Sequence, residues 1–422
     1  MDASTHIDDF ASFISASPSS YHAAAESARR LTEAGFTARD ETEAWTAEAG
    51  RFFVVRDGAI IAWVQPEGAG ATTPFRILGA HTDSPGFKLK PKPTIGAFGW
   101  LQAGVEVYGG PLLNSWLDRE LELAGRLVTT DGSVHLVRTG PFLRIPQLAV
   151  HLDRQVNEGL TLDRQRHLNP VFGTGDLAEA DLLAHLAAIA GIAAKDIAGY
   201  DVLVADTQAP ARFGLDGQLF AAGRMDNLSS VHAGLVALLD APEDAAHISV
   251  FAAFDHEELG SASTSGASGP LLDDVLTRIG AALGAAPADR LQAYASSWCV
   301  SSDAGHAVHP NYPERHDPTN RPLAGRGPLL KINANQRYAT DALGAALWAR
   351  CCDAAGVEYQ EFVSNNTVPC GSTIGPLTAT RLGIRTVDVG LPLLSMHSAR
   401  ELCHVADPVA LAEAIRAFFR GA

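Results

Sequence analysis

The chain contains 422 residues, a length that allows two or three domains with a large hydrophobic core. Hydrophobic residues make up 46% and charged residues 19%, which is ordinary for a globular enzyme. The formal net charge of -16 at pH 7 argues against nucleic acid or an anionic membrane surface as a partner.

Cysteine usage and the N-terminus indicate the compartment. The five cysteines form no Cys-x-x-Cys pair, which argues against a zinc ribbon, a thioredoxin-type site or a disulfide framework. The N-terminus lacks the basic region and apolar core of a signal peptide, and the longest apolar stretch, 182–194, is too short to span a bilayer. We therefore expect a soluble protein of the cytoplasm with no membrane segment.

The N-terminal region is predicted to contain a helix and a hairpin. Apolar residues recur at helical spacing over residues 8–34, and Gly35 is a plausible end of the helix. Residues 51–64 contain two β-rich runs that flank Asp57-Gly58, a favoured tight-turn pair.

A short strand predicted over residues 75–80 ends in His81 and Asp83. A histidine at a strand end can bind a metal while an aspartate two residues further on orients its imidazole. A solvated loop histidine is the commoner explanation for such a residue when it stands alone.

From about residue 88 the composition changes. The run 88–93 is basic and proline-rich, which predicts a crossing between domains. Residues 92–223 show short alternating runs with frequent glycine, and these predict a β-rich inserted domain with a helix near residues 178–190. Residues 1–91 and 224–422 would then form the other domain.

The run 248–254 has the length and composition of a buried parallel strand, and Glu257 and Glu258 follow it. Carboxylates are rarely buried unless they are paired or bound to a metal. An exposed acidic turn after the strand is the alternative explanation.

Three further polar residues stand beside predicted elements. Asp226 precedes an apolar helix over residues 228–239, where N-capping is the simplest explanation. Asp303 follows a strand predicted over residues 298–302, and His397 lies in a loop near the C-terminus.

Two features between these residues are candidates for substrate contact. Lys331 interrupts the apolar strand 329–332, although a strand lysine whose charge reaches solvent is the alternative. Gly371, Ser372 and Thr373 form a glycine-bracketed turn before a helix, where free backbone N–H groups could hold an anionic or carbonyl oxygen.

Together these residues predict one open sheet that presents ligands along one edge, because buried strands deliver functional side chains at their carboxyl ends. Imidazole and carboxylate ligands suit zinc, cobalt or manganese, and the absence of cysteine among them favours a catalytic site over a structural one. One aspartate can bridge two ions roughly 3.5–4 Å apart, as in two-metal hydrolases.

The sequence resembles the aspartyl aminopeptidases in motifs that occur in that family's order and cover nearly the whole chain. The matching segments are 79–85 (GAHTDSP), 223–227 (GRMDN), 255–260 (DHEELG), 302–312 (SDAGHAVHPNY), 336–340 (QRYAT), 369–376 (PCGSTIGP) and 396–398 (MHS). The resemblance implies an α/β fold with a central mixed sheet and flanking helices, plus an inserted β-rich dimerisation domain.

The resemblance also implies a site with two Zn²⁺ ions, in which Co²⁺ or Mn²⁺ could replace either. Asp226 would bridge the ions, Glu257 would be the general base, and Asp83 would support His81. The remaining metal ligands would be His81 and Asp303 at one ion, and Glu258 and His397 at the other.

For the substrate, the resemblance implies peptides with a free N-terminus whose first residue is Asp or Glu. Lys331 occupies the position of the family's acid-reading lysine, while Asn335 stands where some relatives have a further basic residue. Gly371, Ser372 and Thr373 are assigned to substrate binding with it.

For assembly, the resemblance implies a tetrahedral homododecamer built from dimers. His151 matches a family histidine that reaches the active site of a neighbouring subunit, where it could stabilise the oxyanion. Two alternatives remain: a related zinc aminopeptidase or deacylase with broader or neutral specificity, and a non-catalytic scaffold. The presence of Glu257 beside Glu258 argues against the scaffold, which would not need a free carboxylate there.

Overall fold

The computed structural model describes residues 3–422, which form two main β-sheets with helices packed against them. The strands are β1 (Thr37–Ala38), β2 (Gly50–Arg56), β3 (Ala59–Gln65), β4 (Phe75–His81), β5 (Gly86–Ala97), β6 (Trp100–Tyr108), β7 (Leu121–Thr129), β8 (Val134–Arg138), β9 (Val171–Thr174), β10 (Ile197–Asp206), β11 (Ala211–Phe213), β12 (Leu219–Ala222), β13 (Ile248–Phe254), β14 (Trp298–Ser302), β15 (Gly305–His306), β16 (Leu329–Ile332), β17 (Gln360–Val363), β18 (Arg385–Gly390), β19 (Pro392–Leu393) and β20 (Glu401–His404). The α-helices are α1 (Ala3–Ala16), α2 (Ser20–Glu33), α3 (Leu182–Ala190), α4 (Met225–Leu239), α5 (Leu271–Ala282), α6 (Pro287–Ala295), α7 (Ala342–Ala355), α8 (Ile374–Leu382) and α9 (Ala406–Phe419).

The larger sheet has nine strands in the order β1-β2-β3-β13-β4-β14-β18-β16-β17. Its central strands β13, β4, β14 and β18 are parallel, whereas β3 is antiparallel to β13 and β16 is antiparallel to β18. The sheet is therefore mixed. Together with the helices on its two faces, it confirms the predicted α/β architecture.

Strand β3 shows how one sheet supports two hydrophobic cores. Ile60 and Ala62 pack with helices α1, α2, α4, α7 and α9, whereas Ile61 and Trp63 pack with α5, α6 and α8. Successive side chains of a strand point to opposite faces, so a strand that is covered on both sides is apolar throughout. The part of the sheet around β3 is thereby buried on both faces.

The smaller sheet has six strands in the order β8-β7-β10-β5-β6-β9, and each neighbouring pair is antiparallel. The proline-rich run at residues 88–93 lies inside β5 and does not form a separate linker. The β5–β6 register shifts between Leu89 and Thr94, where Pro91 and Pro93 lack the N–H groups that a sheet requires. The division into residues 1–91 with 224–422 and residues 92–223 stays a prediction.

The single helix predicted over residues 8–34 is wrong, because the structure has α1 and α2 with a break between them. The break falls at Ser17, Pro18 and Ser19. Proline has no backbone N–H to continue the first helix, and the Ser19 side chain accepts a hydrogen bond from the His22 amide as the N-cap of α2. The predicted hairpin is confirmed as β2 and β3.

Within residues 3–422, none of the helices combines the length and the apolar character that a membrane span requires.

His247 should make the stability of the fold depend on pH. Its side chain is buried, its Nε2 donates to the Phe419 carbonyl at 2.9 Å, and burial lowers its pKa from 6.5 to about 4. The unfolded chain therefore takes up this proton at a higher pH than the folded chain does. The contribution of neutral His247 to the free energy of unfolding is fully present above pH 6.5 and is lost as the pH falls toward 4. Between pH 8 and pH 5 this loss is about 2 kcal/mol.

We expect the His247→Gln variant, which keeps a donor for the Phe419 carbonyl, to lose less stability on acidification than the unaltered chain. Urea unfolding of metal-free protein at pH 8 and pH 5 measures the difference, since other titrating groups are common to both proteins. Equal losses in the two proteins would show that His247 does not contribute.

Candidate metal centre

Three neighbouring parallel strands deliver polar side chains to one edge of the larger sheet. His81 is the last residue of β4, the Glu257–Glu258 turn follows β13, and Asp303 follows β14. Asp226 lies at the start of α4, and His397 lies in the loop between β19 and β20. The carboxyl ends of parallel strands share an edge, so residues far apart in sequence converge there.

The converging side chains include two sets that share Asp226, and His81, Glu257 and Glu258 form a third possible group. In the first, the His81 Nε2 atom lies 3.4 Å from Asp226 Oδ1 and 3.3 Å from Asp303 Oδ1. In the second, the His397 Nε2 atom lies 3.2 Å from Asp226 Oδ2 and 3.5 Å from Glu258 Oε1. Ligand atoms of a tetrahedral zinc ion lie roughly 3.3 Å apart, as follows from bonds of about 2.0–2.1 Å. Each set therefore has the spacing of a zinc site.

The second ring nitrogen of each histidine supports the same conclusion. His81 Nδ1 lies 3.1 Å from the Asp83 carbonyl and 3.4 Å from its carboxylate, and His397 Nδ1 lies 2.9 Å from the Gly110 carbonyl. These acceptors place the proton on Nδ1, so in the neutral ring a bare Nε2 lone pair faces carboxylate oxygens. That arrangement is repulsive unless a proton or a metal ion lies between the atoms.

Asp226 gives an independent sign that a cation belongs here. It is buried, and its Oδ1 atom has no hydrogen-bond donor among residues 3–422. A buried carboxylate oxygen without a partner is costly, whereas a metal ligand needs such an atom. The residues present thus fit divalent metal ions, and the donor set of imidazole and carboxylate suits zinc.

The pKa values of the ligand side chains are shifted because several carboxylates lie close together in a buried site. Burial, together with neighbouring carboxylates such as Asp226, raises the pKa of Glu257 to about 7 and that of Glu258 well above its ordinary value. Burial alone would lower the pKa of His397, but its hydrogen bond to Asp226 and the charge of Glu258 raise it to about 10. Bound cations would relieve this excess of negative charge.

A cavity of about 440 Å³ opens beside the two sets. Its other lining residues include Glu257, Lys331, His306, Tyr338, Met396, Gly371, Ser372 and Thr373. Glu257 Oε2 lies 4.0 Å from His81 Nε2, farther than the oxygens of Asp226 and Asp303. Glu257 is therefore close to the first set without being one of its three nearest ligands.

Lys331 lies in the wall of this cavity and is 1% exposed. Its Nζ donates to the Ala304 carbonyl at 2.7 Å and lies 3.6 Å from Asp303 Oδ2. The Nζ atom also lies 5.2 Å from the centre of the Tyr338 ring. The lysine charge is thus held by protein groups in the cavity wall and does not reach bulk solvent.

The predicted substrate-contacting turn also lines this cavity. The Thr373 hydroxyl is engaged, because it donates to Asp388 Oδ1 at 2.6 Å and accepts from the Gly375 amide as the N-cap of α8. Ser372 donates its hydroxyl to the Arg337 carbonyl at 3.2 Å. Any contact of this turn with a substrate oxygen would therefore come from its backbone.

His151 neither lines this cavity nor belongs to or contacts the ligand sets, unlike the other predicted site residues. It is exposed in the irregular stretch between β8 and β9 and is not among the cavity lining residues. A role in catalysis would require that it act at the site of another subunit.

Sequence analysis missed two residues that support the ligands. Glu401 is buried and accepts the amide N–H groups of Asp226 at 3.0 Å and His397 at 2.9 Å. The Tyr108 hydroxyl donates to Asp83 Oδ2 at 2.9 Å. Glu401 stands only four residues after His397, and this short spacing could have indicated that it lies near the metal centre. Tyr108 lies in a different sheet, and its position in the sequence does not indicate that it contacts Asp83.

Comparisons with known proteins agree with this geometry. The chain matches the model of the family described as aminopeptidase I zinc metalloprotease (M18) over residues 13–419. A probable M18 family aminopeptidase 2 of Streptomyces avermitilis is 56% identical over 422 residues, which cover 99% of this chain and 98% of that protein.

Solved structures show the same fold. The cryo-EM structure of the Ape4 and Nbr1 complex contains a chain that matches with a TM-score of 0.95 and 35% identity, covering 99% of this chain and 86% of that chain. The S. cerevisiae mApe1 dodecamer matches with a TM-score of 0.86 and 27% identity, covering 98% and 96%. Fold and site thus define a zinc-dependent aminopeptidase, a hydrolase. The chain belongs to the M18 family of aminopeptidases, which confirms the family predicted from the sequence motifs.

Proposed function

We propose that this M18 aminopeptidase removes N-terminal aspartate or glutamate from peptides, with two zinc ions and with Glu257 as the general base. The observation that carries the proposal is a buried lysine, Lys331, in the wall of the cavity beside the two ligand sets. A buried cation at this position would select a substrate with a negative side chain.

The metal ions would be held by His81, Asp226 and Asp303 in one set and by Asp226, Glu258 and His397 in the other. Zinc is the expected metal in both, and Co²⁺ or Mn²⁺ could replace it. When bound, such ions polarise a scissile carbonyl and make a water molecule more acidic.

Glu257 is the residue that would move the proton. Its carboxylate reaches the cavity, and its backbone amide is fixed by a hydrogen bond of 3.0 Å to Asp83 Oδ1. A carboxylate held beside the ligands can accept the proton of the attacking water and pass it to the leaving amine. Asp83 supports this arrangement because it contacts both His81 Nδ1 and the Glu257 amide.

Lys331 would form an ion pair with the side chain of the first substrate residue. Pairing inside a cavity is strong because water does not compete for the charges. The amides of Gly371, Ser372 and Thr373 could hold a substrate oxygen in the same cavity. Asn335 is exposed, and the absence of a second basic residue there favours the alternative of a broader specificity.

We also propose that the chain self-associates into a tetrahedral homododecamer that is built from dimers. The mApe1 match is a dodecamer. The stretch around His151 exposes apolar side chains, with Leu148 at 59%, Val150 at 46% and Leu152 at 74% exposure. Such a patch is typical of an interface. In an assembly it would allow His151 to reach the cavity of a partner and stabilise the oxyanion.

The substrate profile and metal content of the purified protein test the proposal. We expect close to two zinc ions per chain and at least tenfold higher kcat/KM for Asp- and Glu- than for Leu- and Ala-aminoacyl chromogenic substrates. Faster cleavage of Leu than of Asp would favour the broader-specificity alternative. Metal binding with no cleavage of any substrate would favour a scaffold.

A further inference from the structure

We propose that Tyr108, the last residue of β6 in the smaller sheet, is a positioning residue for the metal centre. Its hydroxyl holds the Asp83 carboxylate, which in turn holds His81 and the Glu257–Glu258 turn. The inference rests on the proposed metal centre, and it assigns part of that centre to the six-stranded sheet.

The Asp83 carboxylate accepts three hydrogen bonds and lies close to the His81 ring. Its Oδ1 accepts the Glu257 amide at 3.0 Å and lies 3.4 Å from His81 Nδ1. Its Oδ2 accepts the Glu258 amide at 3.1 Å and the Tyr108 hydroxyl at 2.9 Å. A carboxylate offers about four lone-pair positions, so these three donors occupy most of them.

Burial makes the tyrosine hydroxyl hard to replace. Asp83 is 2% exposed and Tyr108 is 7% exposed, so solvent has little access to Oδ2. Without the hydroxyl, Oδ2 would keep only the Glu258 amide, and the carboxylate could rotate away from its present plane. A buried acceptor that loses a donor carries a penalty of about 1–3 kcal/mol.

The orientation of Asp83 determines where two functional side chains point. One carboxylate binds the amides of two successive residues, Glu257 and Glu258, and so fixes the turn that carries them. His256, the residue before the turn, has a φ of 62°, a left-handed conformation that needs support from its surroundings. The His256 amide donates to Asp255 Oδ1 at 2.9 Å, and the bonds from Glu257 and Glu258 to Asp83 hold the residues that follow.

The residues that follow Tyr108 contact the second ligand set. The Gly110 carbonyl accepts from His397 Nδ1 at 2.9 Å, and the Leu112 amide donates to the His397 carbonyl at 2.9 Å. Gly109 has a φ of +67°, and a Cβ atom there would lie 3.1 Å from the Cβ of Glu258. The segment 108–112 therefore contacts residues of the second ligand set and, through Tyr108, the carboxylate that supports the first. Through this segment the smaller sheet is connected to the metal centre.

A tyrosine that is simply part of the core would also have a satisfied hydroxyl, so the test must separate positioning from stability. Tyr200 supplies a matched control. It lies in the same sheet, and its hydroxyl donates to the Lys90 carbonyl at 2.7 Å, a group that is not part of either ligand set. Tyr108→Phe and Tyr200→Phe each remove one oxygen and one hydrogen bond.

The readout is the zinc affinity of the metal-free protein, measured by competition with a chromogenic chelator. We expect Tyr108→Phe to raise the zinc dissociation constant about 10- to 100-fold, the usual effect of losing a group that supports a metal ligand. Tyr200→Phe should leave the dissociation constant unchanged. In the zinc-loaded enzyme, Tyr108→Phe should lower kcat more than it changes KM.

An unchanged zinc affinity in Tyr108→Phe, with tight zinc binding by the unaltered protein, overturns this inference alone. If the unaltered protein itself does not bind zinc tightly, the proposed function fails instead. Should Tyr108→Phe not fold, Asp83→Asn tests the same connection, because it removes the carboxylate that Tyr108 holds. Zinc binding by Asp83→Asn equal to that of the unaltered protein would also overturn the inference.

Discussion

Replacing Glu257 with glutamine should reduce kcat by about 10²- to 10⁴-fold, the range expected for loss of a general base, while zinc remains bound. Glutamine has the same shape as glutamate but cannot accept the proton of the attacking water. The substitution leaves the backbone amide of residue 257 free to donate to Asp83, and it does not change any side chain of the two sets that share Asp226. Steady-state kinetics and the metal content of the same preparation measure the two effects.

Glu258→Gln is the matched control, since it makes the same chemical change one residue away. Glu258 Oε1 lies 3.5 Å from His397 Nε2 within the second ligand set, so this variant should lose zinc as well as activity. Chelation of the unaltered protein should likewise remove both. A Glu257→Gln protein that keeps most of its turnover would eliminate the general-base role.

Replacing Lys331 with methionine should lower kcat/KM for N-terminal Asp and Glu substrates about 10²- to 10³-fold. Loss of one partner of a buried charged pair costs roughly 2–5 kcal/mol, mostly because the other charge is left unpaired. Without Lys331, the carboxylate of an Asp or Glu substrate would be left unpaired in the cavity. Methionine fills a similar volume, so a Leu substrate should be cleaved within about threefold of its original rate.

Lys331 also has contacts within the protein, and these define the outcome that would contradict the specificity role. Its Nζ donates to the Ala304 carbonyl and lies 3.6 Å from Asp303 Oδ2. If its main task is to hold Asp303, then Lys331→Met should lower the activity on all substrates equally and reduce the zinc content. Metal analysis beside the Asp and Leu kinetics separates the two roles.

Much of the architecture was predictable from the sequence because strand signals are local. The apolar run 248–254 followed by two glutamates predicts a buried strand with carboxylates at its end, and the structure has β13 there. The chain order of the motifs predicted the family, which the comparisons confirm. The predicted helix over residues 8–34 failed at Pro18, a local signal that the helical spacing on either side obscured.

The sequence by itself thus determined the fold class, the family and the kinds of residue at the centre, because hydrophobic periodicity and short motifs are written along the chain. The tertiary structure alone decided how those residues are held. Tyr108 reaches Asp83 from another sheet, and Glu401 joins Asp226 to His397. Hydrogen bonds of this kind depend on which segments the fold brings together. The spacing of residues along the sequence does not indicate which segments these are.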